Sequence, residues 1–180
     1  MIIADKLRTT NRAEYVLYMW QIEDMLRSYH CDIEHVRHDY LVRFTLPDDK
    51  RAEMEQWYAD LCRMMKEEGV AQTGHLQINK NAVQELSELH HSLLRSSNFP
   101  YYQQLYYKVL PYIVEVRAKG ADKSSDETEN MFEVLYGLML LRLQGKEVSA
   151  ETLAASKDIA TLLGQLSDYY FKNKAGELEL

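Results

Sequence analysis

Glu88 and His91 stand three residues apart in "ELSELHH" (residues 85–91), and on a helix that spacing puts both side chains on one face. Helical bundles with two metal ions place ligands this way, but they use the pair twice and add two glutamates from facing helices. The nearest second pair, Asp32-x-x-His35, carries the shorter carboxylate in a different setting. Half a motif leaves Glu88 and His91 as a minor metal-ligand candidate, against the ordinary alternative of a solvated His90 and a polar helix face. "YHCDIEHVRHD" (residues 29–39) gathers three histidines and a cysteine, without the tighter Cys/His pairing that zinc asks for. No cofactor is expected.

A second kind of chemistry begins with one misplaced acid. In "EYVLYMWQIEDMLR" (residues 14–27) the side chains of Tyr15, Val16, Met19, Ile22 and Leu26 share an apolar arc at helical spacing, and Glu23 falls inside it. Two arginines sit in apolar arcs by the same test, Arg117 near Leu110 and Ile113, and Arg142 near Leu135 and Leu138. Buried charges are costly alone. The expectation is therefore a polar network of Glu23 with Arg117 or Arg142 inside the protein; the alternative is a surface pair of Glu23 with Arg27 one turn away. Such a network reads first as a device that fixes helix register. If it opens onto a cavity, the arginines point to an anionic ligand or an enzyme.

Nothing else supports catalysis. There is no Gly-rich phosphate loop, no GxSxG elbow and no HExxH. Tyrosine is unusually abundant, thirteen against four phenylalanines, and its apolar ring with a polar tip suits interfaces and core edges. The pairs Tyr101–Tyr102 and Tyr106–Tyr107 are the interface candidates.

The elements that must position these groups read as seven helices. The first follows "TTN" (residues 9–11) and runs to about Cys31, and a second covers about residues 32–45. The third covers about 50–68, the fourth about 79–96, and the fifth about 101–119 with a kink expected at Pro111. The sixth opens at Asp126, paired with Glu129 as a capping pair. It is apolar nearly all round and so is expected to be central. The seventh starts after Ser149 as N-cap and ends near Lys172. "GVAQTGH" (residues 69–75) is a loop, and "KGADKSSDE" (residues 119–127) is linker-like but too short to separate domains. The fold class is an all-α antiparallel bundle, with residues 1–180 as one domain.

Bulk composition narrows the partners. Only three prolines and seven glycines occur in 180 residues, which suits long helices and disfavours an all-β chain. A net charge of −7 repels phosphate backbones and anionic lipid, so neither nucleic acid nor a membrane surface is expected. The first residues are too short and too interrupted by acid for a secretory signal. The most apolar stretch, residues 131–143, is too short to span a bilayer. Cys31 and Cys62 lack metal-ligand or CxxC spacing and read as reduced thiols of a cytoplasmic protein.

Taken in order, "NRAEYVLYMWQIEDMLR", "GHLQINKN", "VLPYIVEVRAKG", "LYGLMLLRLQGKEVSAET" and "AGELEL" resemble a bacterial family found mainly in Bacteroidetes, domain-of-unknown-function family 4924. The resemblance covers nearly the whole chain and implies an all-helical protein of this size. It brings no activity, cofactor or site residue. The reading is a non-enzymatic helical module that binds a protein partner or itself; the alternative is a small-molecule or metal-binding enzyme with a polar interior site around Glu23, Arg117 and Arg142.

Overall fold

A computed structural model of the chain describes residues 2–118 and 125–180. Among these residues there are eight α-helices and no strand: α1 (Ile2–Thr10), α2 (Arg12–Ser28), the short α3 (Ile33–His35), α4 (Asp48–Glu67), α5 (Gln77–Arg95), α6 (Pro100–Ala118), α7 (Glu127–Leu143) and α8 (Ala150–Lys174). None is long and apolar enough to cross a membrane. Most of the linker-like stretch, residues 119–124, lies outside the described residues.

Local chemistry accounts for most boundaries. The Asn11 side chain accepts the backbone N–H of Glu14 and caps α2. The hydroxyls of Thr9 and Thr10 instead bond back to carbonyls of their own turn, because they close α1, a helix the periodicity did not reveal. Asp126 caps α7 through the Thr128 N–H, and Ser149 caps α8 through the Thr152 N–H. At the end of α2, His30 and Cys31 both adopt left-handed backbone angles, with φ of 55° and 52°, while the Cys31 N–H closes the helix onto the Leu26 carbonyl. The expected second helix is one helical turn only in part. It continues as a π-helical turn (Val36–Tyr40) and a 3-10 turn (Leu41–Arg43) before Pro47 leads into α4. Helix α6 runs on across Pro111.

Helices α2, α5, α7 and α8 pack on one another, α6 lies against α5, α7 and α8, and α1 lies on α2. Their buried side chains form one contiguous core that reaches from Ala4 to Leu166. α8 drives Ile159, Leu162, Leu163 and Leu166 into it, each fully buried aliphatic side chain contributing about 1.5–3 kcal/mol.

Two expectations are corrected here. The all-round apolar helix, α7, packs on α2, α5, α6 and α8 but is not enclosed along its length. It buries Met131 and Phe132, but from Val134 to Leu143 only Leu138 is buried. The tyrosine pairs divide: Tyr102 and Tyr106 are core residues, whereas Tyr101 and Tyr107 are 81% and 66% exposed. Adjacent helical residues point about 100° apart, so one member of each pair turns inward and cannot serve an interface.

Candidate functional site

Glu23 is buried as its place in the apolar arc of α2 requires, with 1% of its surface exposed, but neither arginine meets it. One carboxylate oxygen accepts the Leu76 backbone N–H at 2.9 Å and the Asn79 side-chain amide at 2.6 Å; the other lies 2.5 Å from His75 Nδ1. Leu76 has no side chain able to cap α5. Its free N–H and the positive end of the helix are served by Glu23 from α2, while Glu68 accepts the Gln77 N–H at 2.6 Å. The positive end of α5 and its N–H donors do for the acid what a guanidinium would, which is why no arginine is required.

The three expected partners have other duties. Arg117 donates to Asn130 Oδ1 at 2.6 Å and the Ser125 carbonyl at 2.7 Å, with Glu127 3.7 Å away, and so secures the start of α7. Arg142 is exposed on the last turn of α7. Arg27 pairs with Asp24 at 2.6 Å and donates to the Val70 and Gly74 carbonyls. The loop before α5 is thus clamped twice, by Arg27 on its backbone and by Glu23 at its end.

What the clamp positions is His75. Its ring lies on Trp20, with centroids 4.1 Å apart and planes 13° from parallel. Both residues face a cleft of about 430 Å³ between α2, α5 and the first turn of α7, a volume in the range of small-molecule sites. A second imidazole stands in the same cleft. His91 Nε2 lies 2.6 Å from Asp126 Oδ2. Burial pushes the Asp126 carboxyl up, but the Thr128 N–H, His91 and the nearby Ser87 hydroxyl outweigh it and hold it below its ordinary range. Lys80, Gln84, Glu88 and Glu129 complete the polar lining.

Of the residues singled out from sequence, the structure places Glu88 and His91 in the cleft and Glu23 directly behind it. Glu88 accepts from Gln84 at 2.9 Å, and His91 is engaged with Asp126. Among the described residues no group of three or more His, Cys, Asp or Glu converges as metal ligands. Glu88-x-x-His91 therefore contributes to a polar cleft and gathers no third ligand. Sequence reasoning missed Trp20, His75, Asn79 and Asp126. Asp126 was read only as the cap of its helix, and His75 left a trace only as a histidine before a helix that lacks a capping side chain. The serine of the cleft is not a nucleophile in waiting: the Ser87 hydroxyl is buried without a hydrogen-bond partner among the described residues and His91 Nε2 is engaged with Asp126, so no imidazole is set to take the hydroxyl proton.

No curated protein and no solved structure matches the chain. A family model does, over residues 1–177, described as Domain of unknown function (DUF4924). The chain belongs to that family.

Proposed function

We propose that the protein is a binding module rather than an enzyme, and that it takes a small polar ligand in the cleft between α2, α5 and the start of α7. One observation carries this reading: a carboxylate shut away from water, with three donors, orients a single imidazole at the wall of that cleft. His75 and His91 each have one ring nitrogen engaged and the other without a partner among the described residues. Lys80 suits the acceptor oxygens of a ligand, while Glu88, Glu129 and the free imidazole nitrogens, which accept when the other ring nitrogen donates to a carboxylate, suit a basic nitrogen. The matching class is a zwitterion such as a free amino acid or a related amine-bearing acid.

The same proposal places the chain, as one domain, in a bacterial cytoplasm. Both cysteines are buried free thiols, which fits a reducing compartment. The net charge of −7 supports a partner other than nucleic acid.

The test is an NMR titration of the labelled protein with amino acids, polyamines, nucleobases and organic phosphates at millimolar concentration, reading the His75 and His91 imidazoles and the Trp20 indole. A zwitterion is expected to shift all three saturably, and Glu129→Gln to weaken it about tenfold, the loss of one good polar contact. Shifts scattered outside the cleft, or none from any compound, would refute the reading.

A further inference from the structure

The far half of α7 presents a different problem from the cleft. Val134 to Leu143 is apolar round most of its circumference, a pattern that belongs in the middle of a bundle. Here it is only partly covered: Val134, Leu135 and Tyr136 pack on the core, and toward the end of the helix the cover runs out. Leu138 of α7 and Ala155 of α8 are buried but stand apart from the contiguous core, and Leu143 is 75% exposed. Leu135, Leu138 and Met139 face Leu153 of α8 across a groove of about 440 Å³, which Arg142 and Lys157 also line. Leu135, Met139 and Leu153 are half-buried, and apolar side chains left partly open along a groove edged with charge mark an interaction site more often than accident.

The charges indicate what covers it. The chain has 28 acidic residues against 21 basic ones, yet the charged side chains that line this groove, Arg142 and Lys157, are both cations. Arg142 and Lys157 have no ion-pair partner among the described residues. A twofold contact of two copies through this groove would set those cations against their own counterparts. We propose that the groove between the end of α7 and the start of α8 receives an amphipathic helix of another protein, its apolar stripe on Leu135, Met139 and Leu153 and its acidic flanks on Arg142 and Lys157. The recognition is helix-in-groove, with anchors one turn apart and charge setting partner choice.

The experiment uses two synthetic helical peptides of about five turns, each with leucines at i, i+3, i+4 and i+7, one with glutamate elsewhere and the other with lysine. Binding to the full chain is read by fluorescence anisotropy and located by methyl NMR. The glutamate peptide is expected to bind, to shift the Leu135, Met139 and Leu153 methyls, and to weaken with salt. The double variant Arg142→Glu/Lys157→Glu should weaken it at least about tenfold and invert the preference. Both changes are on exposed side chains, and circular dichroism of the variant verifies its fold. Equal binding of the two peptides, indifference to the charge reversal, or shifts elsewhere would overturn the proposal. So would a concentration-dependent dimer in sedimentation velocity that Met139→Glu abolishes, since a second copy would then be the occupant.

Discussion

The imidazole of His75 lies almost parallel to the Trp20 indole at 4.1 Å, and Glu23 holds the ring there through Nδ1. Stacking fixes the plane of the ring and the hydrogen bond fixes its rotation, so one loop residue is set as firmly as a core side chain. Two elements distant in sequence, α2 and the loop before α5, become a single wall of the cleft.

Glu23→Ala is expected to cost about 3–5 kcal/mol, the range for breaking a buried polar pair. It strands the Leu76 N–H and the Asn79 amide in an apolar setting and frees His75 from its place. Glu23→Gln retains an acceptor for α5 but offers an NH₂ group where His75 Nδ1 needs one, and should cost about 1–3 kcal/mol. Urea unfolding of the two variants checks the order. A loss below about 1 kcal/mol for the alanine variant would mean that the site relaxes freely, contrary to its close packing.

The burial of Glu23 was legible in the sequence because helical periodicity reports which face is inward, and that face includes position 23. Its partners were not, because they belong to a loop and to a helix N-terminus, neither of which has a period or a formal charge to search for. Charge inspection looked for arginine; the field of α5 did the same work. The misreading of α7 has a related origin. Periodicity shows that a helix has no polar face, but not that its own chain supplies the cover. α1 escaped notice because Asp5 interrupts its apolar run and because its closing threonines look like the caps of the helix that follows.

Acid should weaken the protein well above the carboxylate range. Burial, then the nearby His91, push His90 down to about 4, while Asp126 and Glu127 pull weakly the other way. Its Nδ1 lies 2.6 Å from the Tyr102 hydroxyl, and Nε2 finds no partner. A histidine that resists its proton when folded takes it more readily when unfolded, so stability is full above the ordinary pKa of about 6.5 and falls as pH drops toward 4. The effect is about 3 kcal/mol across that window. Denaturation measured from pH 7 to 4 should show this slope in the wild type, and His90→Gln should flatten it. An unchanged slope in the variant would assign the acid sensitivity elsewhere.

Arg12 joins three helices at one point. Its guanidinium bonds Glu85 at 2.7 Å and lies 5.2 Å and 5.4 Å from the rings of Tyr15 and Tyr170, while its backbone N–H donates to Ser167. The flat cation fills a slot between two rings, which a lysine ammonium does not. Arg12→Lys is therefore expected to recover less than half of the roughly 1–3 kcal/mol lost in Arg12→Ala. Thermal unfolding of both variants decides the matter: full recovery by lysine would reduce the contact to simple charge.

His30 and Cys31 carry the same left-handed backbone and should answer the same substitution in opposite ways. A side chain in this region costs about 1 kcal/mol or more that glycine does not. His30 is exposed, so His30→Gly should raise stability by up to about 1 kcal/mol, less the entropy glycine adds to the unfolded chain. Cys31 is fully buried beside Met65, Sγ to Sδ 4.0 Å. Cys31→Gly relieves the same strain but empties a core position, and cavity formation outweighs the gain. Equilibrium unfolding of the two variants is expected to give changes of opposite sign. A shared sign would show that backbone strain at the end of α2 does not set the balance.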